Sequence, residues 1–175
     1  MKNYLITGGA GFIGSNFIHY LVENRPEIHI SNLDALTYAG NLENLSDLQG
    51  NPHYHFFHAN ISDIHSLVEL FQNYQFDAVI HFAAESHVDR SIENPMAFIQ
   101  TNVVGTANLL GANLGFWQNL DTVKKNAFRF LHISTDEVFG SLGLNDEPFS
   151  ESTPYSPNSP YAASKVAAEY VGLQA

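Results

Sequence analysis

The feature that most constrains this chain is a run of glycines near its start. Gly9-Ala10-Gly11-Phe12-Ile13-Gly14 has the spacing G-x-G-x-x-G, and Gly8 extends it. The pattern alone is common, but its surroundings are informative. The apolar run Tyr4–Ile6 precedes it, and apolar residues at 13, 17, 18, 21 and 22 follow at helical spacing. A strand that turns on glycines straight into a helix leaves the first helical N–H groups free. It also brings the positive end of the helix dipole to bear on an anion. Asp34 stands twenty residues after Gly14, at the end of the next apolar run, where a carboxylate can accept hydrogen bonds from ribose hydroxyls. Together these predict a dinucleotide site. The same carboxylate repels a 2′-phosphate, so NAD is expected over NADP. The competing reading is a glycine turn that only packs helix on strand.

Five short apolar runs read as strands: Tyr4–Ile6, Ile28–Leu33, His53–His58, Ala78–Phe82 and Phe128–Ile133. Helices are predicted over Phe12–Val22, over Ile64–Phe71 with Ser62 as N-cap, and over Pro95–Gly111, opening on Asn94-Pro95. One or two turns fit Asp121–Asn126, and Ser159-Pro160 opens a last helix from Tyr161 to about the chain end. This alternation predicts an α/β fold: a Rossmann-type doubly wound parallel sheet with helices on both faces. Gly140–Asn158 lacks a period and is rich in Gly, Pro, Ser and Asn, so it reads as a functional loop. With 175 residues, 45% of them apolar and 14% charged, residues 1–175 are expected to form one domain.

The formal charge is −11, from 18 acids against 7 scattered bases, which argues against a nucleic-acid or anionic-membrane surface. Any phosphate must therefore be held locally. Without cysteine there is no disulfide, thiolate zinc site or cysteine nucleophile, and a cytoplasmic location fits. Tyr4–Ile6 is too short for a signal segment, and no membrane span is expected. His53, His55 and His58 invite a metal reading. Strand spacing puts the first two on one face and the third on the other, with no carboxylate at ligand spacing, so no metal is expected.

Two further groups carry chemistry. Tyr161 and Lys165 stand at i and i+4, on one helix face. An ammonium and a nicotinamide cation nearby would favour the phenolate and make Tyr161 a base for a sugar hydroxyl. A surface Tyr/Lys pair is the alternative. Asp136-Glu137 follow the fifth strand, at the sheet edge where α/β sites lie. Neighbouring carboxyls can be driven to different pKa values and serve as acid and base. They could equally be solvated acids at a helix or turn entry.

Longer stretches decide between these readings. Thr7–Gly14, the strand ending Ser134-Thr135, and Tyr161 with Lys165 resemble the extended short-chain dehydrogenase/reductase family. The likeness is closer still to its dTDP-glucose 4,6-dehydratases, carried by Leu36-Thr37-Tyr38-Ala39-Gly40-Asn41-Leu42-Glu43, Ala83-Ala84-Glu85-Ser86-His87-Val88-Asp89-Arg90-Ser91, and His132-Ile133-Ser134-Thr135-Asp136-Glu137-Val138-Phe139-Gly140. It covers the whole chain but about the first half of such an enzyme.

The resemblance implies oxidation of dTDP-glucose at C4, loss of water across C5 and C6, and return of the hydride to C6, in deoxysugar precursor synthesis. Asp136 would be the acid toward the C6 oxygen and Glu137 the base at C5. Tyr161 would take the C4 hydroxyl proton, Lys165 would orient the ribose and tune Tyr161, and Thr135 would hydrogen-bond the sugar. The implied NAD contacts are Gly8, Gly11, Phe12, Ile13 and Gly14; Asp34, Ala35, Leu36 and Thr37; Asn60 and Ile61; Phe82, Ala83, Ala84 and Ser86; Thr101; and Tyr161 with Lys165. Ser86 and Thr135 would also touch substrate. Glu85, His87, Asp89 and Arg90 would form a supporting ion-pair cluster.

Three departures stand out. Asn60-Ile61 replaces an Asp-Ile pair expected to hold adenine, Phe139 replaces a Tyr, and the chain ends at Ala175, without the C-terminal substrate lobe. Little turnover is expected of this length alone. A homodimer through the Pro95–Gly111 and Tyr161–Gln174 helices is implied. Epimerase or decarboxylase activity on another nucleotide sugar, or a silent NAD-binding module, are the alternatives.

Overall fold

The computed structural model describes residues 2–172. Strand β1 (Lys2–Thr7) is central. It pairs in parallel with β2 (Ile28–Asp34) on one side and β4 (Ala78–His81) on the other, and β3 (Tyr54–His58) and β5 (Arg129–His132) extend the sheet to the order β3-β2-β1-β4-β5. The register aligns Thr7 with Leu33 and His81, and His81 with His132, so the strands end along one edge. This is the expected Rossmann arrangement, in which the ligand crevice opens beyond the carboxyl ends of the strands.

Strand periodicity sets the two cores. Leu5 and Ile6 are both fully buried yet belong to separate clusters, as neighbours on a strand must. Leu5 packs with Leu67 and Phe71 of α2 (Ile64–Asn73) and with Leu109 and Phe116 of a later helix. Ile6 packs with Ile18 and Leu21 of α1 (Phe12–Asn24) and with Leu45 and Leu48 of a 3₁₀ segment, Leu42–Leu48.

The remaining elements depart from the sequence expectations in instructive ways. A short α3 (Val88–Glu93) precedes α4 (Pro95–Phe98); a π-helical segment, Ile99–Gly105, follows, then α5 (Thr106–Gln118). The single helix expected over Pro95–Gly111 is therefore longer and interrupted. Asn94 contributes no side-chain cap, and Pro95 occupies the first turn. Asp63, not Ser62, caps α2: its carboxylate accepts from the His65 and Ser66 amides at 3.0 and 3.4 Å. Ser62 instead donates to the Gln100 carbonyl at 3.2 Å. After α6 (Thr122–Ala127) and β5, Asp136–Phe139 forms a 3₁₀ turn. The last helix, α7 (Pro160–Gly172), packs on α3, α4, the π segment and α5. The end of the helix expected to Gln174 lies outside the described residues.

Two glycines set how closely these pieces meet. Gly8 has φ +73, and a β-carbon there would stand 2.5 Å from the Ala83 amide nitrogen; one on Gly14 would stand 2.3 Å from the Gly8 oxygen. The turn thus fits against the exit of β4, and α1 fits against the turn, only without side chains.

A buried polar chain crosses the sheet beside this turn. Thr7 Oγ1 and His81 Nδ1 are 2.6 Å apart, and His81 Nε2 and Thr106 Oγ1 are 2.9 Å apart. All three residues are buried. A neutral imidazole has one donor and one acceptor, which the two hydroxyls satisfy. Burial holds His81 well below its ordinary pKa, and His132 and Lys165 add to the effect. His132 is lowered to about 4 by burial and by the Lys165 charge, with Glu169 opposing.

Gly8→Ala is expected to destabilise the chain by about 2–4 kcal/mol, the sum of a left-handed backbone cost and a backbone clash, measured by urea unfolding. A histidine titrating near 4 when folded and 6.5 when unfolded binds fewer protons in the native state between those values. Its contribution to stability is therefore lost as the pH falls through that window, by up to about 3 kcal/mol. His132→Gln should show a shallower decline of unfolding free energy from pH 6.5 towards 4 than wild type; parallel declines would contradict this reading.

Candidate active site

The strand ends, the glycine turn and the start of α7 enclose a cleft of about 400 Å³. Gly8, Gly11, Phe12, Ile13 and Gly14 line one wall, and Asp34, Ala35 and Thr37 continue it from β2. Asn60 and Ile61, expected from sequence to hold adenine, and Thr101 line the cleft too, and Phe82, Ala83, Ala84 and Ser86 line the exit of β4. Tyr161 and Lys165 reach in from α7. Of the residues expected to contact a dinucleotide, Leu36 does not line the cleft. Its backbone amide donates to Asp34 Oδ1 at 2.8 Å, from a left-handed conformation with φ 50.

The glycine wall suits a pyrophosphate. Gly11 caps α1 without any side-chain hydrogen bond, and no acid stands in the first turn, so the helix N-terminus meets the cleft uncovered. Phe12 and Ile13 are 83% and 63% exposed, an unusual state for large apolar residues that a ligand lying along the turn would relieve. Asp34 is buried, and its two oxygens each accept one backbone amide, from Ala10 at 2.9 Å and Leu36 at 2.8 Å. A carboxylate oxygen has a second lone pair, so both can still accept from ribose hydroxyls. Asn60 is less available than its sequence position suggests. Its Oδ1 already accepts from the Ser62 amide at 2.8 Å, leaving one lone pair for adenine.

Lys165 is almost wholly buried. Its ammonium donates to the Ile133 carbonyl at 2.6 Å and lies 3.5 Å from His132 Nε2. Burial lowers it to about 8, with Glu169 opposing. The expected pull towards phenolate combined this ammonium with a nicotinamide cation; within the chain itself other groups set the Tyr161 hydroxyl. Burial first, then Glu137 and Asp136, hold the Tyr161 hydroxyl above its ordinary value, and a hydrogen bond with Thr135 works the other way. The same relation places the acid pair close to Tyr161. Thr135 caps the 3₁₀ turn by accepting from the Glu137 amide at 3.3 Å, with Asp136 exposed and Glu137 half-buried in its first turn. The acids therefore sit at a turn entry and beside the tyrosine at once. Thr135, Asp136 and Glu137 stand next to the cleft but do not line it.

The expected ion-pair cluster at Glu85, His87, Asp89 and Arg90 is not formed. Among the described residues the ion pairs are His19–Asp47 and Arg25–Glu27, and the Arg90 guanidinium lies over the Tyr38 ring instead. The triple-histidine strand is also partnered: His53 Nδ1 faces His29 Nε2 at 3.1 Å, His58 Nε2 is 3.2 Å from the Ala35 carbonyl, and His55 packs on Phe57.

Sequence reasoning missed Asn102. Buried in the π segment, its Oδ1 accepts from the Glu85 amide at 2.7 Å, and its Nδ2 donates to the Glu85 carbonyl and to Ser164 Oγ at 3.0 and 2.9 Å. It ties the loop after β4 to the helix bearing Tyr161 and Lys165. No local pattern singles it out, since Gln100 and Thr101 precede it directly. Ile133 and Ser134 also line the cleft, as residues just past a strand do.

The family model described as GDP-mannose 4,6 dehydratase matches residues 5–174. A dTDP-glucose 4,6-dehydratase of Xanthomonas campestris pv. campestris (strain B100) is 55% identical over 98% of this chain and 48% of its own length. The crystal structure of dTDP-glucose 4,6-dehydratase from Bacillus anthracis str. Ames in complex with NAD superposes with a TM-score of 0.85 at 38% identity, over 99% of this chain and 50% of that one. The UDP-Glc/GlcNAc 4-epimerase of Campylobacter jejuni has the same TM-score at 31% identity, over 99% of this chain and 49% of its own, so the fold is shared across chemistries. The chain spans about half the length of these relatives. With that match running over nearly every residue, the chain belongs to the GDP-mannose 4,6 dehydratase family.

Proposed function

We propose that this chain is the NAD-binding part of a dTDP-glucose 4,6-dehydratase, a hydro-lyase of deoxysugar precursor synthesis. The observation that carries the reading is one cleft bounded by an uncapped glycine turn, the Asp34 carboxylate and the Tyr161/Lys165 helix, with Asp136-Glu137 beside the tyrosine. Bare backbone at Gly8 and Gly14 lets the turn close onto the exit of β4 and α1 close onto the turn, which supports a pyrophosphate site on the turn amides.

The glycine-turn amides and the α1 terminus would hold the pyrophosphate, Asp34 the adenosine ribose, and Lys165 the nicotinamide ribose. NAD, when bound, would supply the acceptor for the C4 hydride, the donor that returns it to C6, and a ring charge that favours the Tyr161 phenolate. Tyr161 removes the C4 hydroxyl proton. The C4 ketone acidifies the neighbouring C5–H, which Glu137 removes, while Asp136 protonates the C6 oxygen so that it leaves as water. Thr135 and Ser86 would hydrogen-bond the sugar. Burial of Lys165 keeps its ammonium fixed on the Ile133 carbonyl rather than sweeping solvent.

The adjacent acids favour elimination over epimerisation, because moving a hydride on and off C4 requires no acid for water loss. A second copy of the chain, meeting the exposed Ile92, Met96, Ile99 and Tyr170 of α3, α4, the π segment and α7, is part of this reading. So is a cytoplasmic setting, which suits a chain with no cysteine; no helix among the described residues is long and apolar enough to cross a membrane.

Calorimetric titration should show NAD binding, with NADP at least about tenfold weaker from repulsion at Asp34. Asp34→Ala should weaken NAD about 10- to 100-fold, the worth of charge-assisted hydrogen bonds to a ribose. An unchanged affinity would remove Asp34 from the site. In a full-length dehydratase carrying this segment, incubated with NAD and dTDP-glucose, Glu137→Gln should oxidise C4 without losing water, seen as reduced cofactor without the 4-keto-6-deoxy product. Continued elimination would show that Glu137 is not the base.

A further inference from the structure

Two loops that both line the cleft are joined to each other through Tyr38. The loop after β2 carries Tyr38, between the lining residues Thr37 and Ala39. The loop after β4 carries Ser86 and His87 and runs into α3, which holds Arg90. Tyr38 Oη donates to the Ser86 carbonyl at 3.1 Å. The Arg90 guanidinium lies 3.5 Å from the centre of the Tyr38 ring, and the His87 ring stands 6.0 Å from it. His87 has φ 81, a left-handed conformation that a side-chain-bearing residue keeps only where its surroundings hold it. None of these residues is needed for the core: Tyr38, His87 and Arg90 are all exposed.

We propose that Tyr38 and Arg90 form a clasp that fastens the two loops together and sets how slowly the dinucleotide leaves. The inference rests on the NAD reading above. It fits that chemistry, in which the hydride returns to the sugar it came from and the cofactor need not be exchanged at each turnover. Arg90 is free of any ion pair among the described residues, so its charge is available to the aromatic face, where a cation is held by the ring quadrupole. The hydroxyl adds a second attachment to the backbone beside the strained His87. Neither Tyr38 nor Arg90 lines the cleft, so both act on the cofactor through the loops, as positioning residues.

The test preloads the chain with NAD, mixes it with excess of a fluorescent etheno-adenine analogue of NAD, and follows exchange. Tyr38→Ala and Arg90→Gln should each speed release about tenfold, as loss of a cation–π contact or of that contact with a hydrogen bond allows, while the association rate stays within about twofold. Tyr38→Phe keeps the ring and should fall between wild type and Tyr38→Ala. Adding Arg90→Gln to Tyr38→Ala should speed release little further, because both remove one shared contact. Additive effects, equal acceleration of entry and release, or unchanged release with NAD still bound would overturn the clasp alone. Failure of the wild-type chain to bind NAD would overturn the cofactor reading, and the clasp with it.

Discussion

The rest of the structure depends on a steric constraint at the first turn. A β-carbon at Gly8 would lie inside the backbone of Ala83, and one at Gly14 inside the carbonyl of Gly8. Removing both side chains lets β1, the turn, α1 and the exit of β4 touch through bare backbone. That closeness gives the cleft its floor. It also aims the α1 N-terminus into open space with no side chain to satisfy it. Packing and binding are two consequences of one approach, and neither excludes the other.

A second constraint works from beneath. The Thr7–His81–Thr106 chain pins β1, β4 and α5 through a neutral imidazole, and His132 and Lys165 continue the polar line to α7. In a chain of net charge −11, Lys165 is a cation placed at the cleft by burial and one short hydrogen bond to Ile133. Desolvation lowers its proton affinity, and Glu169 one turn along opposes the loss. Asn102 supplies the lateral tie, joining the loop of Glu85 to Ser164 between Tyr161 and Lys165. Asn102 lies in the π segment of the interrupted helix, a departure from regular helix often found at functional sites.

Local patterns were legible wherever one residue type has one physical use. The G-x-G-x-x-G turn, the strands with period two, and Asp34 at the end of β2 could be read directly, because sterics and hydrophobic periodicity act within a few residues. Element ends were less legible. Ser62 and Asp63 are both good caps, and only the packing of Ser62 against Gln100 assigns the role to Asp63. Charge was least legible. Glu85, His87, Asp89 and Arg90 read as mutual partners, yet Arg90 finds Tyr38, 52 residues earlier, which no local pattern encodes.

By itself, the sequence determined the α/β alternation, the glycine turn, the carboxylate at the end of β2 and the set of residues that could carry chemistry. Tertiary structure decided which of them meet and in what state. Leu36 faces away and serves Asp34 through its amide, because a left-handed backbone turns it. Within the chain itself Tyr161 is held above its ordinary value, because burial and the nearby acids outweigh its hydrogen bond with Thr135. Residue identity sets what a group can do; desolvation and the partners brought by distant segments set what it does.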